Sequence, residues 1–306
     1  MSWLYHPAYV PVRDRLVQLL RKPKYQFRRL RPVAFLCGMA SSPNRNLLRR
    51  YLKKHHADLF VFYAERVWEH IVKREDMNAL RMEDQLARLS DIVIILVESA
   101  GTCTELGAFS LSEELRAKIL PVLDRQFEAD SSFINTGPIN WINEESLYGP
   151  AIYADFEVLL RSAGEIDKRI ARIPGPARTR EEEVTNLAER PKHFLFFLCD
   201  LLAIIGPAPY SHCEYYVNQV FTKGVGEWSL PGLIGLAESL GLLARVEGGE
   251  CGPLFYRPLI DGRLESFQAP KKMFELSEER ARLISVYQLI PPLRDLLHRG
   301  VLGAVQ

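Results

Sequence analysis

The sequence predicts an α/β fold, an open and mostly parallel sheet followed by a second, smaller domain. Three observations carry the prediction. Short β-branched or aromatic runs alternate with helical segments through the first half of the chain. One of those runs, Ile92–Val97, is apolar throughout, as a strand buried on both faces must be, and is followed at once by hydroxyls, small side chains and carboxylates. Past residue 190 the alternation gives way to consecutive helices and then a glycine-turned hairpin.

The 306 residues suffice for one large domain or two of ordinary size, and 47% hydrophobic against 25% charged residues excludes a disordered or fibrous chain. No run approaches the roughly 18 consecutive apolar residues of a membrane span. The opening Met1-Ser2-Trp3-Leu4-Tyr5-His6-Pro7 lacks the charged-then-apolar order of a secretory signal, so the expected location is the cytoplasm, without membrane contact. Cys37, Cys103, Cys199, Cys213 and Cys251 are odd in number, scattered and without a C-x-x-C pair, which reads as reduced packing residues rather than a disulfide framework or zinc site.

The net charge of +1 hides an asymmetry: thirteen Lys or Arg lie between Arg13 and Lys54, against one acid before residue 58, Asp14. Residues 13–54 are therefore a candidate contact for phosphate or nucleic acid, or equally a solvated helical face. His55-His56 fall in that basic stretch and read as solvated, so no metal is assigned.

In chain order, Val10, Val12, Leu16, Leu19 and Leu20 at helical spacing predict an amphipathic, basic helix within residues 1–24. Val33–Cys37 is a short strand ending at Gly38, then Ser41-Ser42-Pro43-Asn44 starts a basic helix over 45–56. This is the opening unit of a doubly wound sheet, and its helix N-terminus is a candidate phosphate site. Residues 58–63 read as a second strand ended by Tyr63 and Glu65, and 65–73 as a helix packing Val67, Trp68, Ile71 and Val72 on the sheet. A helix over 78–89 leads into Ile92–Val97. A helix over 105–118, a strand over 119–123 and a short run over 131–135 ending at Asn135 and Gly137-Pro138 complete a first domain placed at 25–165.

Ile173-Pro174-Gly175-Pro176 and the charge run after it mark a linker, placed at 166–188. Helices over 194–205, 211–221 and 230–243 follow, then a hairpin whose strands flank Glu247-Gly248-Gly249-Glu250-Cys251-Gly252, then a helix over 277–290. Helices followed by a hairpin is winged-helix order, placed at 189–306. The helix over 230–243 carries Glu238 and no Lys or Arg, which argues against direct base readout and for docking to a protein or a nucleoprotein.

Glycosyl transfer at a nucleoside C1′ needs a carboxylate beneath the sugar, because the transition state is an oxocarbenium ion, together with groups for the sugar hydroxyls and the base. Glu98, Ser99, Thr102, Thr104 and Glu105 offer these within one strand-to-helix turn, where Gly101 permits close backbone approach. Glu105 complementing a helix dipole is an equal reading of the same residue. Glu83 stands mid-helix with structural and functional readings both open, and Cys103 reads as a small buried spacer because no His is placed to activate it.

Phe35-Leu36-Cys37-Gly38, Tyr63 with Glu65, the motif Glu98-Ser99 through Thr104-Glu105-Leu106-Gly107-Ala108-Phe109-Ser110, and Ser132-Phe133-Ile134-Asn135 with Gly137-Pro138 resemble the nucleoside deoxyribosyltransferase-like effectors of retron antiphage systems. The likeness is close over 91–138 and weak before 30 and after 190. It implies a Rossmann-type catalytic domain with a winged-helix-like domain behind it, Glu105 as the catalytic glutamate, and Gly38, Tyr63, Glu65, Glu98, Ser99, Gly101, Thr102, Thr104 and Asn135 lining the substrate site. It implies cleavage of an N-glycosidic bond, with NAD+ as substrate rather than cofactor and no other cofactor. It also implies restraint by a reverse transcriptase with its DNA-RNA hybrid (msDNA), and higher-order assembly. Where the classical deoxyribosyltransferases carry an aspartate six residues before the glutamate, this chain has Ser99 beside Glu98, which favours hydrolysis over base exchange. The alternative is a catalytically silent module that senses a nucleotide or binds nucleic acid and signals through the second domain.

Overall fold

A computed structural model describes residues 3–21, 25–27, 30–65, 67, 78–174, 181–182, 190–221, 230–248, 252–256, 267–268 and 276–298. The chain divides into two compact units, Arg31–Gly175 and a unit formed by Met1–Leu30 with Pro176–Gln306. The N-terminal helix α1 (Val10–Leu20) and strand β1 (Tyr25–Phe27) thus belong with the C-terminal half.

The Arg31–Gly175 unit is a five-stranded, wholly parallel sheet. In chain order it comprises β2 (Val33–Cys37), α2 (Pro43–His55), β3 (Phe60–Phe62), α3 (Ala79–Leu89), β4 (Ile92–Val97), α4 (Ala100–Ser110), α5 (Glu113–Arg116), β5 (Ile119–Asp124), α6 (Asn140–Glu145), β6 (Ile152–Ala154) and α7 (Ala163–Ile170). The strands lie in the order β3-β2-β4-β5-β6. The chain moves outward from β2 to β3, then crosses back to β4 and continues the other way, so the sheet is doubly wound and reverses between β2 and β4.

Period-two alternation sends the two halves of each strand to opposite faces. Ala34, Leu36, Ile92, Ile94, Leu96, Leu120 and Val122 pack with Leu48 and Leu52 of α2 and Ile166 and Ile170 of α7. On the other face Phe35 and Phe62 stack at 5.0 Å, and α3 and α4 contribute Met82, Leu86, Leu106 and Phe109. All of β4 is buried, as its unbroken apolar run requires. Asp91, just before β4, ties it to β2 by accepting from the Val33 amide at 2.7 Å and donating its own amide to the Val33 carbonyl.

Two expectations for this unit are corrected. The linker does not begin at 166, because residues 166–170 complete α7 and commit Ile166 and Ile170 to the sheet's core. Asn135 does not end a strand. It opens a π-helical turn, Asn135–Ile139, that runs straight into α6, with Pro138 inside the turn. The helix read over 65–73, with Trp68, Ile71 and Val72, lies almost wholly outside the described residues.

The second unit is built around α8 (Pro191–Ile205), buried continuously from Phe194 to Ile205. It is preceded by β7 (Glu181–Glu182) and followed by β8 (Ala208–Pro209), α9 (Tyr210–Val220), α10 (Leu230–Ser239), β9 (Ala244–Glu247), β10 (Pro253–Tyr256), α11 (Leu276–Tyr287) and α12 (Pro291–His298). Strands β8, β10 and β9 form an antiparallel sheet in that order, and β1 pairs on its two sides with Glu181–Glu182 and Phe267–Gln268. Helix α10 stops at Ser239 rather than running to 243, because Gly241 takes a left-handed φ of 74° that closes the helix end. The C-terminal carbonyls of α8 are satisfied from α11: Arg280 donates to the Ile204 and Gly206 carbonyls, and the Tyr287 hydroxyl to that of Ile205.

The basic N-terminal stretch is divided between the units, its first part in this second unit and its later part in the sheet unit. Arg13 is buried and bonds Asp14 and the Leu4 carbonyl, Arg15 pairs with Glu279, and Arg21 bonds Gln219, so these cations hold α1 in place. Among the described residues no helix is long and apolar enough to cross a membrane.

Ile94 lies fully buried on the central strand. Replacing it with Ala should destabilise the sheet unit by about 2–5 kcal/mol, read as a loss in chemical denaturation; a loss below about 1 kcal/mol would show that this face is not close-packed.

Candidate active site at the reversal of the sheet

In an open doubly wound sheet the crevice for a ligand forms at the C-terminal ends of the two strands between which the strand order reverses. Here those ends are Cys37 of β2 and Val97 of β4. The turns that follow are bonded to one another, with the Glu98 carboxylate accepting from the Met39 amide at 3.2 Å.

Helix α4 begins directly beyond β4. Ser99 caps it, its hydroxyl accepting from the Thr102 amide, while the buried Thr102 hydroxyl accepts from the Glu98 and Ser99 amides. Glu105 sits past the first turn, beside Leu106 and Phe109, which pack on the sheet. Among the described residues, one of its carboxylate oxygens, Oε2, is buried without a hydrogen-bond partner.

Burial pushes the Glu105 carboxyl up to about 7, and the charges of Glu83 and Glu65 push in the same direction. The Cys37 thiol donates a hydrogen bond that opposes the rise, and so does the charge of Arg45. Glu83, half-buried on α3, is itself raised by burial and then by Glu65. Cys37 is raised well above an ordinary thiol by burial and by the neighbouring carboxylates, which keeps it protonated as a donor rather than a nucleophile. Three carboxylates, from α4, from α3 and from the segment after β3, are therefore near enough for their charges to act on one another. Such convergence keeps one of them partly protonated near neutral pH.

Arg45 forms the other wall. It is buried on the first turns of α2, where Ser42 caps the helix ahead of Pro43. Its Nη1 donates to the Gly38 carbonyl at 2.8 Å and to Glu65 Oε1 at 2.7 Å, its Nη2 to the Ala40 carbonyl at 3.3 Å, and its guanidinium stands 4.3 Å from the Tyr63 ring centroid. Gly38 is required by this arginine. A Cβ at residue 38 would fall 2.8 Å from Arg45 Cδ.

The residues singled out in the sequence thus separate. Glu105, Glu98, Glu65 and Gly38 meet at the C-terminal ends of β2, β3 and β4. Tyr63 is buried there and directs its hydroxyl to the Arg45 carbonyl and Asn46. Ser99 and Thr102 spend their hydroxyls on the helix start, and Thr104, exposed, returns its own to the Ala100 carbonyl. A side chain at Gly101 would meet nothing closer than Ser99 Oγ at 3.7 Å, so no close contact dictates glycine there. Asn135 is committed within the segment after β5, donating to the Phe127 and Asp130 carbonyls and accepting from the Tyr153 hydroxyl. Sequence reasoning passed over Arg45 and Cys37 and left Glu83 open. The available signals were the helical register that turns Arg45 inward with Leu48 and Leu52, and the odd-numbered register that turns Cys37 to the same sheet face as Phe35.

Among the described residues no group of three or more His, Cys, Asp or Glu is arranged to hold a metal ion. His56 and Tyr51 of the α2 region instead share Asp167 of α7, each at 2.7 Å, and join two helices on one sheet face.

A family model described as STM3845 retron effector protein matches residues 41–245. Two Escherichia coli proteins are similar to this chain. The "Retron Ec86 putative ribosyltransferase/DNA-binding protein" is 34% identical over 130 residues, 41% of this chain and 42% of the relative. Its retron Ec73 namesake is 27% identical over 222 residues, 63% of this chain and 67% of the relative. The chain therefore spans less than half the length of the first of these relatives.

The folded state raises the Glu105 carboxyl from its ordinary 4.5 to about 7, so it holds a proton that the unfolded chain has released between those values. Ionisation then opposes folding, and the contribution of this carboxyl to stability is lost as pH rises from about 4.5 through about 7. Glu105→Gln should accordingly unfold at a higher temperature than wild type above pH 7 and converge on it toward pH 4.5; parallel melting curves across that range would place Glu105 in solvent.

Proposed function

Because the chain belongs to the STM3845 retron effector family, we propose that its sheet unit breaks an N-glycosidic bond, with Glu105 as the carboxylate beneath the ribosyl C1′ and NAD+ as the substrate. The observation that carries this reading is the convergence of Glu105, Glu83 and Glu65 at the reversal of the sheet. An oxocarbenium-like transition state is cationic, and preorganised carboxylates in a partly desolvated site oppose that charge far better than water does. The nicotinamide ring of NAD+ is cationic before reaction, so the same field favours its approach.

Nicotinamide departs as a neutral base and requires no proton. The C1′–N bond breaks with its electron pair passing to the ring nitrogen, Glu105 supports C1′ as an anion, and a water oxygen bonds to C1′ and releases a proton. The products are nicotinamide, ADP-ribose and a proton. A neutral nucleoside differs, because its base must be protonated as it leaves. Glu83, raised by burial and by Glu65, is the second carboxylate placed to supply that proton.

The ribosyltransferase in the relatives' names agrees with chemistry at C1′. In the resemblance drawn from the sequence, such an enzyme is restrained by a reverse transcriptase carrying its DNA-RNA hybrid (msDNA), with higher-order assembly. For the helices and hairpin of the second unit we infer a winged-helix-like docking role. Helix α10 turns Leu230, Leu233, Ile234, Leu236 and Ala237 inward, and its Glu238 lies 3.7 Å from Arg245 of β9, an arrangement that suits a protein or nucleoprotein partner better than base edges.

Purified protein incubated with NAD+ should release nicotinamide at a rate that rises as Glu105 ionises, through pH about 7, and then levels. Glu105→Gln should remove at least 100-fold of that rate, an order-of-magnitude expectation for loss of charge at a preorganised site. A neutral nucleoside, if cleaved, should instead lose rate on the alkaline side. Undiminished release by Glu105→Gln contradicts the assignment.

A further inference from the structure

Arg45 is buried in the sheet's crevice, and its side-chain contacts lie outside α2. The helix already has its cap in Ser42, its proline at the first turn, and its apolar stripe in Leu48 and Leu52. The arginine reaches instead to two other pieces of backbone. From α2 it holds the Gly38 and Ala40 carbonyls of the turn after β2, the Glu65 carboxylate beyond β3, and the face of the Tyr63 ring. Its stem fills the space that the missing Cβ of Gly38 leaves. A guanidinium suits this task because its fork is planar and permanently charged, so two carbonyls and a carboxylate can be served at fixed angles. A lysine carries the charge without the fork.

We propose that Arg45 is a positioning residue for Glu105: by clamping Glu65 and the Gly38–Ala40 turn to α2, it fixes both the shape of the crevice at the end of β2 and the balance of charge around the reacting carboxylate. The inference rests on the proposed role of Glu105 and adds to it. Among the described residues, the groups that act on Glu105 are the Cys37 thiol from β2, Arg45 from α2, Glu65 from beyond β3 and Glu83 from α3. Of these, Arg45 is the cation, and its closest carboxylate partner is Glu65. The pair therefore works as one device. Arg45 pulls Glu105 toward its ionised form, whereas Glu65 both repels Glu105 directly and draws on the charge of Arg45. Removing one partner shifts Glu105 in one direction, and removing the other shifts it in the opposite direction. Loss of packing alone would not produce opposite signs.

The test is the titration of Glu105 in the full-length protein, followed by carboxyl carbon NMR with labelled glutamate and assigned by the signal missing in Glu105→Gln. This readout does not depend on catalysis, so a protein that cleaves nothing would disprove the proposed reaction and leave the positioning inference measurable. In Arg45→Gln the Glu105 midpoint should rise by about one pH unit, the low end of what an adjacent opposite charge contributes. In Glu65→Gln, a half-exposed position where the fold is not at risk, it should fall. Arg45→Lys should keep the midpoint near wild type while lowering kcat with little change in KM, because the charge stays and the fork is lost. Should Arg45→Gln fail to fold, Glu65→Gln and Arg45→Lys still decide. Midpoints that stay together in the folded variants, or move in the same direction, overturn the proposal.

Discussion

The constraint on which the rest depends is the reversal of the sheet between β2 and β4. A chain that winds outward and then returns leaves the C-terminal ends of those strands without a connection passing over them. Everything chemically distinctive in the sheet unit gathers at that edge: the Gly38 turn, Arg45 at the start of α2, Glu65 beyond β3, Glu83 on α3, and Glu105 on α4. The opposite ends of the helices carry unremarkable structural pairs such as His56 with Asp167. Sequence positions from 37 to 105 thus come together because of topology, with no dedicated domain to hold them.

Holding three carboxylates in one crevice works against stability. Burial makes the ionised form of Glu105 costly, and its neighbours add to the cost, which is why its carboxyl titrates near neutrality rather than in the acid range. The surrounding structure offsets this with rigid elements. Strand β4 is buried along its whole length, and Ser99 with Thr102 fixes the first turn of α4. Phe109 anchors the turn beyond Glu105, so the carboxyl has little freedom to swing into solvent. An unfavourable charge environment held inside close packing accords with the proposed role of Glu105.

Much of this was legible in the sequence. Unbroken apolar runs mark strands covered on both faces, so β2, β4 and β5 and their parallel arrangement could be read directly, as could the helix-helix-hairpin order of the second unit. Glu105 was singled out because small and hydroxyl side chains cluster right after the wholly buried strand β4. Arg45 was not, because an arginine at the end of an apolar stripe is read as solvated, even though its register with Leu48 and Leu52 and the glycine seven residues earlier both fit an inward-facing stem. Ser99 and Thr102 suggested ligand contacts, whereas the same hydroxyls serve equally well as caps, and local spacing cannot separate the two uses. Asn135 was misplaced because a short apolar run before Gly-Pro looks like a strand end, while here it enters a helix through a π-turn. The assignment of α1 to the C-terminal unit depends on contacts some 200 residues distant in sequence, such as Tyr9 with Tyr216, and no local pattern encodes those.

In the proposed reaction the carboxylate of Glu105 faces the anomeric carbon of a ribosyl substrate in the crevice where the sheet reverses. A crystal structure of Glu105→Gln with NAD+ bound tests it most directly. The ribosyl C1′ is predicted within about 3.5 Å of the side chain at position 105, the separation of a near-attack arrangement, at the C-terminal ends of β2 and β4. A substrate seated elsewhere, or one whose phosphates rather than its ribose meet that side chain, would rule out this role for Glu105.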